Sequence, residues 1–98
     1  MRSLQDICFS ICDIEGDLMD GTISFKFDKL MMAMKAPHPC EVLDNILSGI
    51  YWTVRDGKTP EKEQLAKTIK ELEGFKKDFG VKELGAPIKE LKEHLENM

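Results

Sequence analysis

Aromatic residues are scarce: seven in 98, of which Trp52 is the only tryptophan and Tyr51 the only tyrosine. The core is therefore expected to be aliphatic, with methionine filling irregular gaps. Cysteine is rare as well, and three is an odd count. That argues against a secreted disulfide framework and for a reducing compartment. No secretory leader is expected, because the apolar run from Leu4 to Ile14 is broken by Asp6 and Asp13 and lacks a basic start. No apolar run approaches the ~18 residues that cross a bilayer, so a cytoplasmic location away from membranes is expected. A surplus of positive charge is also missing. The net charge of −4 disfavours a general affinity for phosphate backbones, and nucleic acid is not an expected partner.

What the chain does have is helical periodicity within one domain, residues 1–98, near the size at which a single core becomes self-sufficient. Its 42% apolar and 33% charged fractions fit a folded globular chain. The charge is uneven, with five basic and nine acidic residues in 1–56 against nine of each in 57–98. The organising stretch is 40–54, where Val42, Leu43, Ile46, Leu47, Ile50, Tyr51 and Val54 recur at three- and four-residue spacing. They fill about half of a helical wheel, wider than the stripe of an ordinary surface helix. Other elements must surround it.

Ser3 reads as the cap of a first helix whose inner face is Leu4, Ile7, Cys8, Ile11, Cys12 and Leu18. Asp6, Asp13, Asp17 and Asp20 form a solvated stripe, Gly16 weakens the helix, and Asp20-Gly21 closes it. The segment from Thr22 to Lys35 is ambiguous. Ile23, Phe25 and Phe27 alternate like a strand, while Ile23, Phe27, Leu30, Met31 and Met34 step like a helix. A helix is preferred, since an isolated strand has nothing to pair with, and it leaves Phe25 outward. Pro39 starts the central helix, and Asp56-Gly57 ends it. Thr59-Pro60-Glu61 opens the next, with Leu65, Ile69, Leu72 and Phe79 inward, a bend or end at Gly74 and a stop at Gly80. A short final helix from Pro87 turns Ile88, Leu91 and Leu95 inward. Surface ion pairs are expected at Glu63–Lys67, Glu73–Lys77, Lys89–Glu93 and Lys92–Glu96. The expected fold is all-α, a bundle of four main helices plus a short connector, mostly antiparallel.

Chemistry-bearing constellations are few. Cys8, Cys12, His38 and Cys40 make up a tetrahedral zinc set by residue type, although their spacing matches no common structural zinc site. Packing of Cys8 and Cys12 on an apolar face is the competing reading. Asp20-Gly21-Thr22-Ile23, followed by the Met-rich run Leu30–Lys35, resembles the second half of a calcium-binding EF-hand loop, here residues 13–28. Placing Ile23 at the loop's eighth position puts Gly16, Leu18 and Phe27 at its first, third and twelfth, where carboxylates are needed. The resemblance implies a degenerate loop. No phosphate-cradling glycine loop is present, and His94 on a charged helix and His38 in a proline-bounded turn do not suggest a catalytic pair with serine or cysteine. No catalytic residue and no cofactor is expected, and the protein is not read as an enzyme.

What remains is the surface. Trp52 points about 190° from the middle of the central apolar face, with Asn45, Ser48 and Gly49 one turn back. Tryptophan beside small residues is the composition of an interface anchor. A glycine inside a helix costs about 1 kcal/mol relative to alanine, and close approach of another backbone is a common reason to keep one. The sequence therefore points to a small non-enzymatic interaction or regulatory protein, self-associating through this helix face as a homo-oligomer or binding another protein. The alternative is a metal-binding module, through the Cys/His set or the calcium-like loop.

Overall fold

The structure is a computed structural model that describes residues 1–26 and 37–98. It is all-α: four helices and a 3-10 turn, with no strand among the described residues. Helix α1 spans Leu4–Asp20, α2 Pro39–Arg55, α3 Lys62–Phe79 and α4 Gly85–Glu96, with the 3-10 turn at Lys82–Leu84. Each helix packs on the next, and α4 returns to α1 to close the bundle.

Local chemistry explains the ends. Ser3 Oγ accepts from the Asp6 N–H at 3.1 Å, satisfying one orphan donor of α1. Gly21 closes that helix at φ 73°, a conformation without penalty only for glycine, and its N–H donates to the Asp17 carbonyl. His38 caps α2, its Nδ1 accepting from the Cys40 N–H at 3.1 Å, with Pro39 in the first turn. Neither Gly16 nor Gly74 interrupts its helix, because tertiary burial on both sides outweighs the propensity loss.

The core is the set of inner faces. Ile7, Ile11 and Leu18 of α1 meet Leu43, Leu47 and Ile50 of α2, Leu65 and Leu72 of α3, and Leu91 of α4. Val81 and Leu84 of the connector are buried with them. Leu43, Leu47, Ile50 and Val54 carry the centre of the α2 stripe, while Val42, Ile46 and Tyr51 lie at its partly buried edges. Phe75 and Phe79 pack ring to ring at 4.7 Å between centroids.

Several local expectations are corrected. Residues 22–26 are not helical, and 27–35 of that expected helix lie outside the described residues. The Lys26 N–H donates to the Phe79 carbonyl at 2.6 Å, across the chain rather than one turn back. Phe25 is partly buried, its ring edge-on to His38 at 5.5 Å, instead of outward. Helix α3 starts two residues after Pro60: Glu61 is its cap residue and Pro60 is buried. Helix α4 begins at Gly85, which puts Pro87 in a first turn where its missing N–H is not needed. None of the four expected same-helix ion pairs forms among the described residues. Lys92 instead reaches Glu73 across α3 and α4 at 3.2 Å, and Arg2 grips Glu90 with both Nε and Nη2 at 2.6 Å.

Candidate functional site

The outer side of α2 carries the exposed aromatic. Trp52 is 58% exposed, far more than any other large apolar side chain of this helix. Its ring stands edge-on to Tyr51 at 5.2 Å, and the Arg55 guanidinium lies over it at 5.4 Å. A cavity of about 220 Å³ opens beside it, lined by Cys12, Asp44, Leu47, Ser48, Tyr51 and Trp52. A second, of about 290 Å³, is lined by Cys12, Glu15, Gly16, Met19, Cys40, Glu41 and Asp44. Cys12 and Asp44 belong to both, so the two make one groove between α1 and α2. Met19 and Cys40 mark one end and Tyr51 and Trp52 the other, as two antiparallel helices require.

The four residues singled out on this face separate. Trp52 and Ser48 line the groove. Asn45 is exposed beside them, its carbonyl accepting from Ser48 Oγ at 2.6 Å. Gly49 turns toward α3: a Cβ there would stand 3.0 Å from Thr68 Oγ1, and Gln64 Nε2 donates to the Gly49 carbonyl. The close approach this glycine permits is to α3 of the same chain.

The groove's electrostatics depend on residues that sequence reading passed over. Glu15 is half-buried, and its Oε1 is shut away from solvent with no hydrogen-bond partner among the described residues. Burial, then the Asp44 charge and a hydrogen bond with Asp44, push its carboxyl up to about 7. These causes favour the protonated form of Glu15. A signal for it was present. At about 100° per residue Glu15 falls between Leu4 and Cys8, inside the apolar arc of α1 rather than on the aspartate stripe. Asp44 sits just past the edge of the α2 arc, beyond Tyr51.

The metal alternatives find no assembled site. Cys8 belongs to the core, and His38 Nδ1 is engaged at the α2 cap. Among the described residues no group of three or more His, Cys, Asp or Glu is placed to hold a metal ion. Burial and the neighbouring Cys12 push the Cys8 thiol up to about 11. Burial, with Glu15, Asp44 and Asp13, raises Cys12 as well. Both shifts favour the neutral thiol. The calcium-like loop is corrected too. Its residues 13–20 are the last turns of α1, with helical hydrogen bonding, while 27 and 28 lie outside the described residues.

The fold and the groove define a small all-α bundle with an open, acid-lined surface cleft. No helix among the described residues is long and apolar enough to cross a membrane. No family model matches the chain, and no curated protein or solved structure matches it significantly.

Proposed function

We propose that this chain is a non-enzymatic protein-interaction module whose docking surface is the Trp52 side of α2. The supporting observation is Trp52 itself, more than half exposed at the end of a groove while the apolar residues on the opposite side of α2 are buried or partly buried. A large aromatic held edge-on by Tyr51 has little conformational freedom left to lose on binding, which suits an anchor. Self-association is one form of this reading and binding of a different chain is the other, and sedimentation separates them. Trp52→Ala should shift an associated species toward monomer while leaving helicity intact, since truncating an anchor typically costs about 2 kcal/mol or more. A parent that stays monomeric at high concentration removes self-association and leaves a different chain as the partner.

A further inference from the structure

The groove beside Trp52 is acidic along its walls, and the Arg55 guanidinium lies over the Trp52 ring at one end. Among the described residues lining its two cavities there is no lysine, arginine or histidine, while Glu15, Glu41 and Asp44 are all present. Its Trp52 end is apolar, with Leu47, Tyr51 and Trp52, and its far end carries Met19, 71% exposed. Between the ends, the buried Glu15 Oε1 lacks a donor and faces a second carboxylate. The chain's whole acidic excess also lies in residues 1–56, the half that builds this groove. From Cys40 to Tyr51 the cleft runs roughly 16 Å, about three turns of a docked helix.

We infer that the groove takes a cationic amphipathic helix of a partner protein. Its apolar face would lie on Leu47, Tyr51 and Trp52, and one lysine or arginine would insert between Glu15 and Asp44. This rests on the docking reading above and names the partner's chemistry. A guanidinium or ammonium supplies donors to the Asp44 carboxylate and to the partnerless Glu15 Oε1, and charge-assisted bonds of this kind are stronger than neutral ones. Opposite charge also speeds and orients encounter. A second copy meeting groove to groove would set Glu15 and Asp44 against their own like, which disfavours symmetric pairing. The helix-in-groove mode requires an apolar floor, and the acid contributes the specificity.

Trp52 is the only tryptophan, so its emission reports the groove directly. The probes are two tryptophan-free idealised amphipathic peptides, one of leucine and lysine, the other of leucine and glutamate. The Leu/Lys peptide should shift Trp52 emission saturably, with affinity falling steeply as salt rises, and the Leu/Glu peptide should not. Asp44→Asn should weaken binding at least about tenfold, equivalent to roughly 1.4 kcal/mol, and Asp44→Glu should largely retain it. Asp78→Asn, the same charge change on α3, should have little effect. Asp44 is exposed, so these variants should keep the parent's circular dichroism. Equal binding of both peptides, or equal loss from Asp44→Asn and Asp78→Asn, overturns the inference. If neither peptide moves the emission but Trp52→Ala lowers the sedimenting mass, the docking surface stands and the cationic partner falls. If neither peptide moves the emission and the parent stays monomeric, the cationic partner falls and self-association falls with it.

Discussion

Gly49 offers the sharpest test of how this bundle is packed. In an unconstrained helix, Gly49→Ala should stabilise by about 1 kcal/mol through propensity. Here the new methyl would meet Thr68 Oγ1 at 3.0 Å, well inside ordinary van der Waals contact. Thr68 is only 3% exposed and β-branched, flanked on α3 by buried Leu65, Ile69 and Leu72, so its χ1 has little room to turn. Overpacking a site of this kind costs about 1–3 kcal/mol. The two effects oppose each other, and Gly49→Ala should range from neutral to about 2 kcal/mol destabilising. Gly49→Leu, with three more heavy atoms aimed at α3, should be clearly worse. Thr68→Ala removes the obstructing hydroxyl and methyl. In that background Gly49→Ala should recover the propensity gain, which makes the coupling between the sites about 1–3 kcal/mol. Urea unfolding followed by far-ultraviolet circular dichroism gives all four corners of the cycle. A Gly49→Ala variant that gains the full propensity term with Thr68 in place would refute the reasoning, because the α2–α3 approach would then not be what the glycine serves.

Ile50 is wholly buried and Ile46 only partly, so Ile50→Ala should cost about 2–5 kcal/mol and Ile46→Ala markedly less, measured by the same urea titration. Glu15 should make stability fall with rising pH. Its folded carboxyl titrates near 7 against an ordinary 4.5, so the folded state binds the extra proton between those values. The contribution is full below about 4.5 and lost as pH rises through about 7, amounting to about 1–2 kcal/mol after solvent screening of a half-buried group. Among the described residues, Asp44 of α2 and Cys12 of α1 interact with it electrostatically, and Glu41 and Cys40 line the same cavity. Glu15→Gln should flatten the profile, and an unchanged slope between pH 5 and 8 would show that the carboxyl is not the source. Cys8→Ala should destabilise by about 1–2 kcal/mol, as deletion from a packed core does, while a strong chelator should leave the parent's melting curve unmoved. Loss of helicity on chelation would return Cys8, Cys12, His38 and Cys40 to consideration as a metal site.

The helices themselves were legible in the chain. Apolar spacing, Ser3, Pro39 and the glycines at 21 and 80 are local signals, and a helix forms from contacts three and four residues apart. The inner face of α2 and the outward direction of Trp52 followed from that same periodicity. The EF-hand resemblance rested on Asp20-Gly21-Thr22-Ile23, and an Asp-Gly pair also closes a helix, as it does here. Burial of Ile14 and Leu18 decided for the helix. Residues 22–26 were beyond local signals, since the Lys26 N–H bonds to Phe79, more than fifty positions away in sequence.

The docking groove divides along the same line. Sequence determined that Trp52 lies away from the core, because one helix's wheel contains that direction. It could not assign Gly49 to Thr68 rather than to another molecule, nor pair Glu15 with Asp44. Those relations depend on how α1, α2 and α3 cross, and a wheel holds no information about the helix next to it. The tertiary structure decided them by bringing side chains from separate helices together, where a missing Cβ and a carboxyl pushed up by its neighbour acquire their meaning.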